Sequence, residues 1–166
     1  MDEIGEQWRT GDLRVANEHL ASAAVRTFLG SVHDLQRLDE AAPRIIVTTP
    51  AGQLHELGAA LAASAAAVAG WNVIYLGPNL LAEEIAGAVI GNGVNVVALS
   101  VIYPADDPLM GGELLRLRRG VGDSVSLLVG GRSTSGYEAE LNEVRATLLP
   151  DLASLSQCLE TIGTSA

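Results

Sequence analysis

Only three side chains in this 166-residue chain carry an imidazole, and two of them stand where a metal could use one. His55 lies in Thr49-Pro50-Ala51-Gly52-Gln53-Leu54-His55-Glu56-Leu57-Gly58, the turn after the first hydrophobic strand, and His19 follows Glu18 in a helix that begins just after Trp8. Imidazole is a common ligand of transition metals, and its second nitrogen is normally oriented by a hydrogen-bond acceptor that fixes the tautomer. Two ligand-like settings among so few histidines make a metal-bearing cofactor the first hypothesis. His33 reads as a surface residue on the second helix. The chain shows no second metal site, no nucleophile paired with a base and no substrate barrel, which points to binding and regulation rather than catalysis.

The elements that must position these residues divide near residue 40. Residues 2–10 read as the end of a helix, Gly11 suits its left-handed cap, and Asp12 can cap a second helix running to about Arg37. Residues 1–40 are therefore expected to be a helical hairpin, part of a helical cap, and 41–166 a separate domain. After Pro43 the pattern changes to short β-branched runs: Arg44–Thr49, Asn72–Leu76, Asn95–Leu99, Val125–Val129 and a weaker Thr147–Leu149. Between and after them lie the helical stretches Gln53–Gly70, Leu81–Gly91, Met110–Gly120, Gly136–Arg145 and Asp151–Ile162. Continuously apolar strands alternating with helices predict an α/β fold, a doubly wound five-stranded parallel sheet in the flavodoxin-like order 2-1-3-4-5. In that order a crevice opens at the carboxyl ends of strands one and three, with His55 and Ser100 expected to flank it.

Composition narrows the function. Hydrophobic residues make up 48% of the chain, enough to bury a core, and ten Lys and Arg against twenty Asp and Glu leave a net charge of −10. That is the wrong sign for a surface that neutralises phosphates, so direct nucleic-acid binding by this chain is not expected. Cys158 is the only cysteine, and neither a leader nor a membrane-spanning run is legible, so a cytoplasmic setting is expected.

Glycines mark where a ligand could approach the strand ends, because only glycine lets backbone come close without a clashing Cβ. Gly58, Gly130 and Gly131 meet that need. The alanine-rich run Gly58–Ala67 could pack shallowly beside a slot, although good helix propensity explains it equally well. Gly130-Gly131 also reads as an ordinary strand-to-helix turn, Ser100 as the cap of the turn after strand three, and His55 as a loop histidine bonded to backbone.

Taken in order, Pro50-x-x-Gln53-x-His55-x-x-Gly58, Tyr75-Leu76-Gly77-Pro78-Asn79, Ser100-Val101-Ile102 and Gly130-Gly131 resemble the cobalamin-binding Rossmann-like domain of corrinoid proteins, over most of residues 43–163. The family pattern is Asp or Glu, any residue, His, two residues and Gly, followed by Ser-x-Leu and Gly-Gly. The resemblance implies base-off binding, in which the cofactor's benzimidazole leaves the cobalt, the nucleotide tail enters the protein, and His55 becomes the lower axial ligand. It further implies that Gly58, Ser100, Ile102, Gly130 and Gly131 receive the tail. Gln53 stands where the family has a carboxylate. Its amide oxygen is expected to hold the His55 imidazole, giving a less basic ligand than the charged residue would.

Trp8, nine residues, then Glu18-His19 is similar to the Trp-x9-Glu-His signature of cobalamin-dependent, light-sensing transcriptional repressors of the MerR type. There the bundle covers the upper corrin face. The resemblance implies that Trp8 packs on an adenosyl group, Glu18 contacts it and His19 can take the cobalt after photolysis; a helix-packing tryptophan and a solvated Glu-His pair are the plainer alternatives. The DNA-binding domain and first bundle helices of those sensors are not in this sequence. The stripe Leu13, Ala16, Leu20, Ala24 and Phe28 should therefore be covered by a partner chain or a second copy, or the chain is a fragment of a longer regulator.

The expected function is thus a sensory module for adenosylcobalamin or another cobalamin, with His55 and His19 as cobalt ligands. Two alternatives are a corrinoid carrier subunit of a methyltransferase or mutase, against which the Trp-x9-Glu-His spacing argues, and a degenerate interaction domain that has lost the cofactor.

Overall fold

The computed structural model describes residues 41–164. Trp8, Glu18, His19, His33 and the hairpin expected over residues 1–40 lie outside the described residues.

Five parallel strands form one sheet in the order β2-β1-β3-β4-β5, as the strand pattern predicts. They are β1 (Arg44–Pro50), β2 (Asn72–Leu80), β3 (Val96–Ser100), β4 (Ser126–Gly130) and β5 (Thr147–Leu149). Beyond Arg44, every residue of β1 is buried, which is what a central strand covered on both faces requires. The connecting helices are α1 (Leu57–Val68), α2 (Ala82–Asn92), α3 (Met110–Val121), α4 (Glu138–Glu143) and α5 (Leu152–Gly163), with a 3-10 turn over Thr134–Tyr137 before α4.

Side-chain alternation along the strands makes two cores. Ile45 and Val47 of β1 point to one face, with Val96, Ala98 and Leu128, and pack on Ala59, Ala63 and Ala66 of α1 and Leu155 and Leu159 of α5. Ile46 points the other way, with Val97, Leu99, Leu127 and Val129, against Ile85 and Val89 of α2 and Met110, Leu114 and Leu117 of α3. The chain after β1 therefore crosses one face of the sheet and the chain after β3 crosses the other.

Beyond shifts of a single residue, three elements differ from the sequence pattern. α1 starts at Leu57 rather than Gln53, because Gln53 is fully buried and its backbone N–H closes a turn on the Pro50 carbonyl at 3.0 Å. The helix expected over Gly136–Arg145 is split into the 3-10 turn and the short α4, and Arg145 adopts a positive φ of 52°. β2 runs on to Leu80, past a shift in register where Thr48 pairs with Gly77.

The α2–α3 face contains one buried carboxylate. Glu113 of α3 accepts a hydrogen bond from the Ala82 N–H at 2.9 Å, meeting one of the free donors at the start of α2, and is also bonded to the Arg116 guanidinium. Burial disfavours its charged form, but the Arg116 bond, the Ala82 N–H and the Arg116 charge outweigh it and hold the carboxyl below its usual value. A depressed carboxyl stabilises the fold above its unfolded pKa, and that contribution is lost as pH falls through the folded value. Urea midpoints are expected to drop on acidification below about pH 4, and part of that drop should be missing in Glu113→Gln.

Candidate functional site

The loop after β1 is fixed by side chains that meet its backbone. The Thr49 hydroxyl donates to the Gln53 carbonyl and accepts from the Asn79 N–H at 2.8 Å, while Asn79 Oδ1 accepts from the Gly52 N–H at 2.9 Å. Asn79 reaches this position with a φ of 64°, a left-handed conformation that asparagine tolerates better than most residues. The Gly77-Pro78-Asn79 turn of β2 thus holds the histidine loop of β1.

His55 is exposed on that loop. Its ring meets the ring of Tyr103 in a T-shaped contact, with centroids 5.9 Å apart and planes at 79°. Tyr103 belongs to the loop between β3 and α3, so the two residues join the two sides of the crevice expected between β1 and β3.

Gln53 does not hold the imidazole. Its Oε1 accepts from the N–H groups of Ile102 and Tyr103, both at 2.8 Å, and its Nε2 donates to the Pro104 carbonyl at 3.0 Å. An amide oxygen has two lone pairs, and both are engaged by backbone, so the expected acceptor role toward His55 is replaced by a tie between the two loops.

Next to these loops a slot of about 190 Å³ enters between α1 and α5, over the carboxyl ends of β3 and β4. Gly58, Ser100, Ile102, Gly130 and Gly131 all line it, so five residues singled out from the sequence converge there. A Cβ on Gly58 would stand 2.5 Å from Ser100 Oγ and 3.4 Å from Ile102 Cδ1. One on Gly130 would come within 3.2 Å of the Leu149 carbonyl oxygen. Gly131 has a φ of +123°, and its Cβ would run into the backbone of Val101. Leu61, Leu128 and Leu155 supply apolar wall. Ser100 lines the slot, and among the described residues its hydroxyl makes no hydrogen bond, so it does not cap the turn after β3.

That turn is held by residues that carry no local signal. Ser133 donates through its hydroxyl to the Ile102 carbonyl at 2.6 Å, and the Tyr137 hydroxyl donates to the Pro104 carbonyl at 2.9 Å while accepting from the Asp107 N–H at 2.7 Å. Nothing in their local pattern marks them, because every partner lies about thirty residues earlier in the chain. On the far wall Asp151 caps α5, accepting from the Ser154 N–H and hydroxyl, each at 2.7 Å. Those bonds hold its carboxyl below the usual range, the N–H contributing most.

Residues 43–148 match the family described as the B12 binding domain. The chain belongs to the B12-binding domain family. Over 137 residues it is 30% identical to the HTH-type transcriptional repressor CarH of Myxococcus xanthus, covering 82% of this chain and 46% of that protein. To CarA of the same organism it is 38% identical over 90 residues, 54% of this chain and 31% of the relative. It thus spans under half the length of these curated relatives. The fold is shared with the monomethylamine corrinoid protein of Methanosarcina barkeri, with a TM-score of 0.71 at 17% identity over 95% of this chain and 76% of that one. It is shared also with a cobalamin-binding protein from Desulfitobacterium hafniense, with a TM-score of 0.62 at 17% identity over 95% and 75%.

Gly131 tests the close approach of the loops that this B12-binding domain needs. Gly131→Ala places a Cβ against the Val101 backbone at a φ that alanine rarely adopts, and is expected to destabilise the protein by about 2 kcal/mol or more in urea unfolding. Gly130→Ala, with an ordinary φ and a looser contact, should cost less.

Proposed function

We propose that the chain binds cobalamin base-off, with His55 as lower axial ligand and the nucleotide tail in the slot between α1 and α5, as the sensory module of a light- or cobalamin-responsive regulator. The observation that carries this reading is an exposed imidazole on a rigid loop beside a glycine-walled slot at the strand ends, where ligands of open α/β sheets collect. Among the described residues no three His, Cys, Asp or Glu side chains converge on one point, so His55 would serve a metal brought by a cofactor.

The slot suits a flat heteroaromatic base with a polar edge. Gly58, Gly130 and Gly131 leave room for it, Leu61, Leu128 and Leu155 remove its faces from water, and Ser100 offers a hydroxyl not used by the described residues. A bound cobalamin supplies a cobalt whose upper ligand can be exchanged or lost in light. His55 orients that cofactor from below. The upper face is assigned to Trp8, Glu18 and His19 by their resemblance to the Trp-x9-Glu-His signature, which implies an adenosyl group as the upper ligand.

The regulatory half of the proposal rests on two matched relatives being transcriptional repressors. With a net charge of −10, this chain would leave DNA contact to another segment or partner. A second copy or a partner chain would cover the apolar stripe of residues 13–28. Among the described residues no helix is long and apolar enough to cross a membrane.

Absorption spectra of the protein with adenosylcobalamin, in the dark and after green light, test the proposal. A base-off spectrum in the dark and a lasting change after illumination are expected. His55→Ala should weaken binding at least about tenfold, the loss of one good metal–ligand contact, and His19→Ala should abolish the lasting change. A spectrum equal to that of free cofactor, or unchanged binding by His55→Ala, overturns the assignment; methyl transfer with a partner enzyme would favour the carrier reading.

A further inference from the structure

The Gln53 amide faces away from the chemistry assigned to its position, and its three bonds define another task. Ile102-Tyr103-Pro104 leaves the sheet at the end of β3, where no neighbouring strand can pair with it. Gln53 satisfies two donors and one acceptor of that segment from inside the protein, at 0% exposure. Ser133 meets the Ile102 carbonyl, and Tyr137 meets Pro104 and Asp107. A segment fixed at so many points presents the residue between them in one place. That residue, Tyr103, is 66% exposed, and the ring it meets is His55.

We propose that Gln53 is a latch on the β3–α3 loop and that Tyr103, held by it, is the positioning residue that orients the His55 imidazole. This rests on His55 being the lower ligand. An amide is required because the latch must accept and donate at once. A carboxylate at position 53 could accept from Ile102 and Tyr103, but would face the Pro104 carbonyl oxygen with no proton to give. Edge-on aromatic contact restrains ring rotation, and a restrained ring keeps its nitrogen aimed with less entropy to lose on coordination.

Amide exchange and histidine ring NMR on the cofactor-free chain, followed by electron paramagnetic resonance with Co(II) cobalamin, test this. Gln53→Ala should speed exchange at Ile102 and Tyr103 at least about tenfold relative to the β3 amides, and should move the His55 ring resonances. Tyr103→Ala should move those resonances too and lower the ratio of histidine-on to histidine-off cobalt about two- to tenfold, while Tyr103→Phe restores both. Gln53→Glu, which keeps the acceptor and loses the donor, should melt below wild type. Unchanged His55 resonances and an unchanged ratio in Tyr103→Ala would overturn the positioning role. Unaltered exchange in Gln53→Ala, or wild-type melting of Gln53→Glu, would overturn the latch. Should Gln53→Ala fail to fold, the Tyr103 pair and Gln53→Glu still decide. Wild type that takes up no cobalamin would defeat the cofactor reading instead, and the cofactor-free measurements would still judge latch and ring contact.

Discussion

The chain leaves β1 over one face of the sheet and leaves β3 over the other, and adjacent strands whose exits diverge cannot keep pairing. Every backbone donor and acceptor in the two exit loops must then find another partner or remain in water. Five side chains answer that demand: Thr49 of β1 and Asn79 of β2 bond the β1 loop, Gln53 joins the two loops, and Ser133 and Tyr137 from the segment after β4 bond the β3 loop. The site is the consequence. A gap with an imidazole at its lip exists because the loops are tied to each other and to the sheet.

The slot follows from the size of residues on its walls. α1 buries alanines, Ala59, Ala63, Ala66 and Ala67, and so packs close to the sheet, while α5 packs through the larger Leu155 and Leu159. Where α1 approaches the end of β3 even an alanine would touch Ser100, and glycine stands there. A dense interior closes small gaps by relaxation, but here relaxation is opposed at both ends. Gly131 is pressed against Val101, and Asp151 fixes the start of α5. The alanine run, which helix propensity alone would explain, therefore also has a packing role.

The strands were legible in the sequence because buried parallel strands need continuous apolar runs, and the sheet order followed from alternation of strand and helix. Boundaries failed where tertiary contacts override local preference, as at Gln53, whose helix-compatible side chain is drawn into the interior by partners 49 to 51 residues away. The glycines of the site were legible for the opposite reason: no other residue type can make the approach that Gly131 makes. The partners of Gln53, Ser133 and Tyr137 were not legible, since a lone hydroxyl or amide looks the same in sequence whether it meets water or a distant carbonyl. Gln53 stands two residues from His55 in sequence, yet its amide turns to the loop after β3.

Exposed apolar groups around the histidine point the same way as the slot. Scattered surface leucines and tyrosines are common and need no account. Leu54 and Tyr103 differ because they come from the two loops that define the crevice, one adjoining His55 in sequence and the other touching its ring, at 68% and 66% exposure. A histidine that merely closed a loop would gain from burial against them. Here the ring stays accessible while its apolar neighbours lie open to solvent, at a cost in hydration that contacts among the described residues do not recover. A broad, flat ligand seated over the imidazole would cover both residues at once. An ion bound at the histidine alone would leave both wet, so such a rim would suit only a ligand large enough to cover them together.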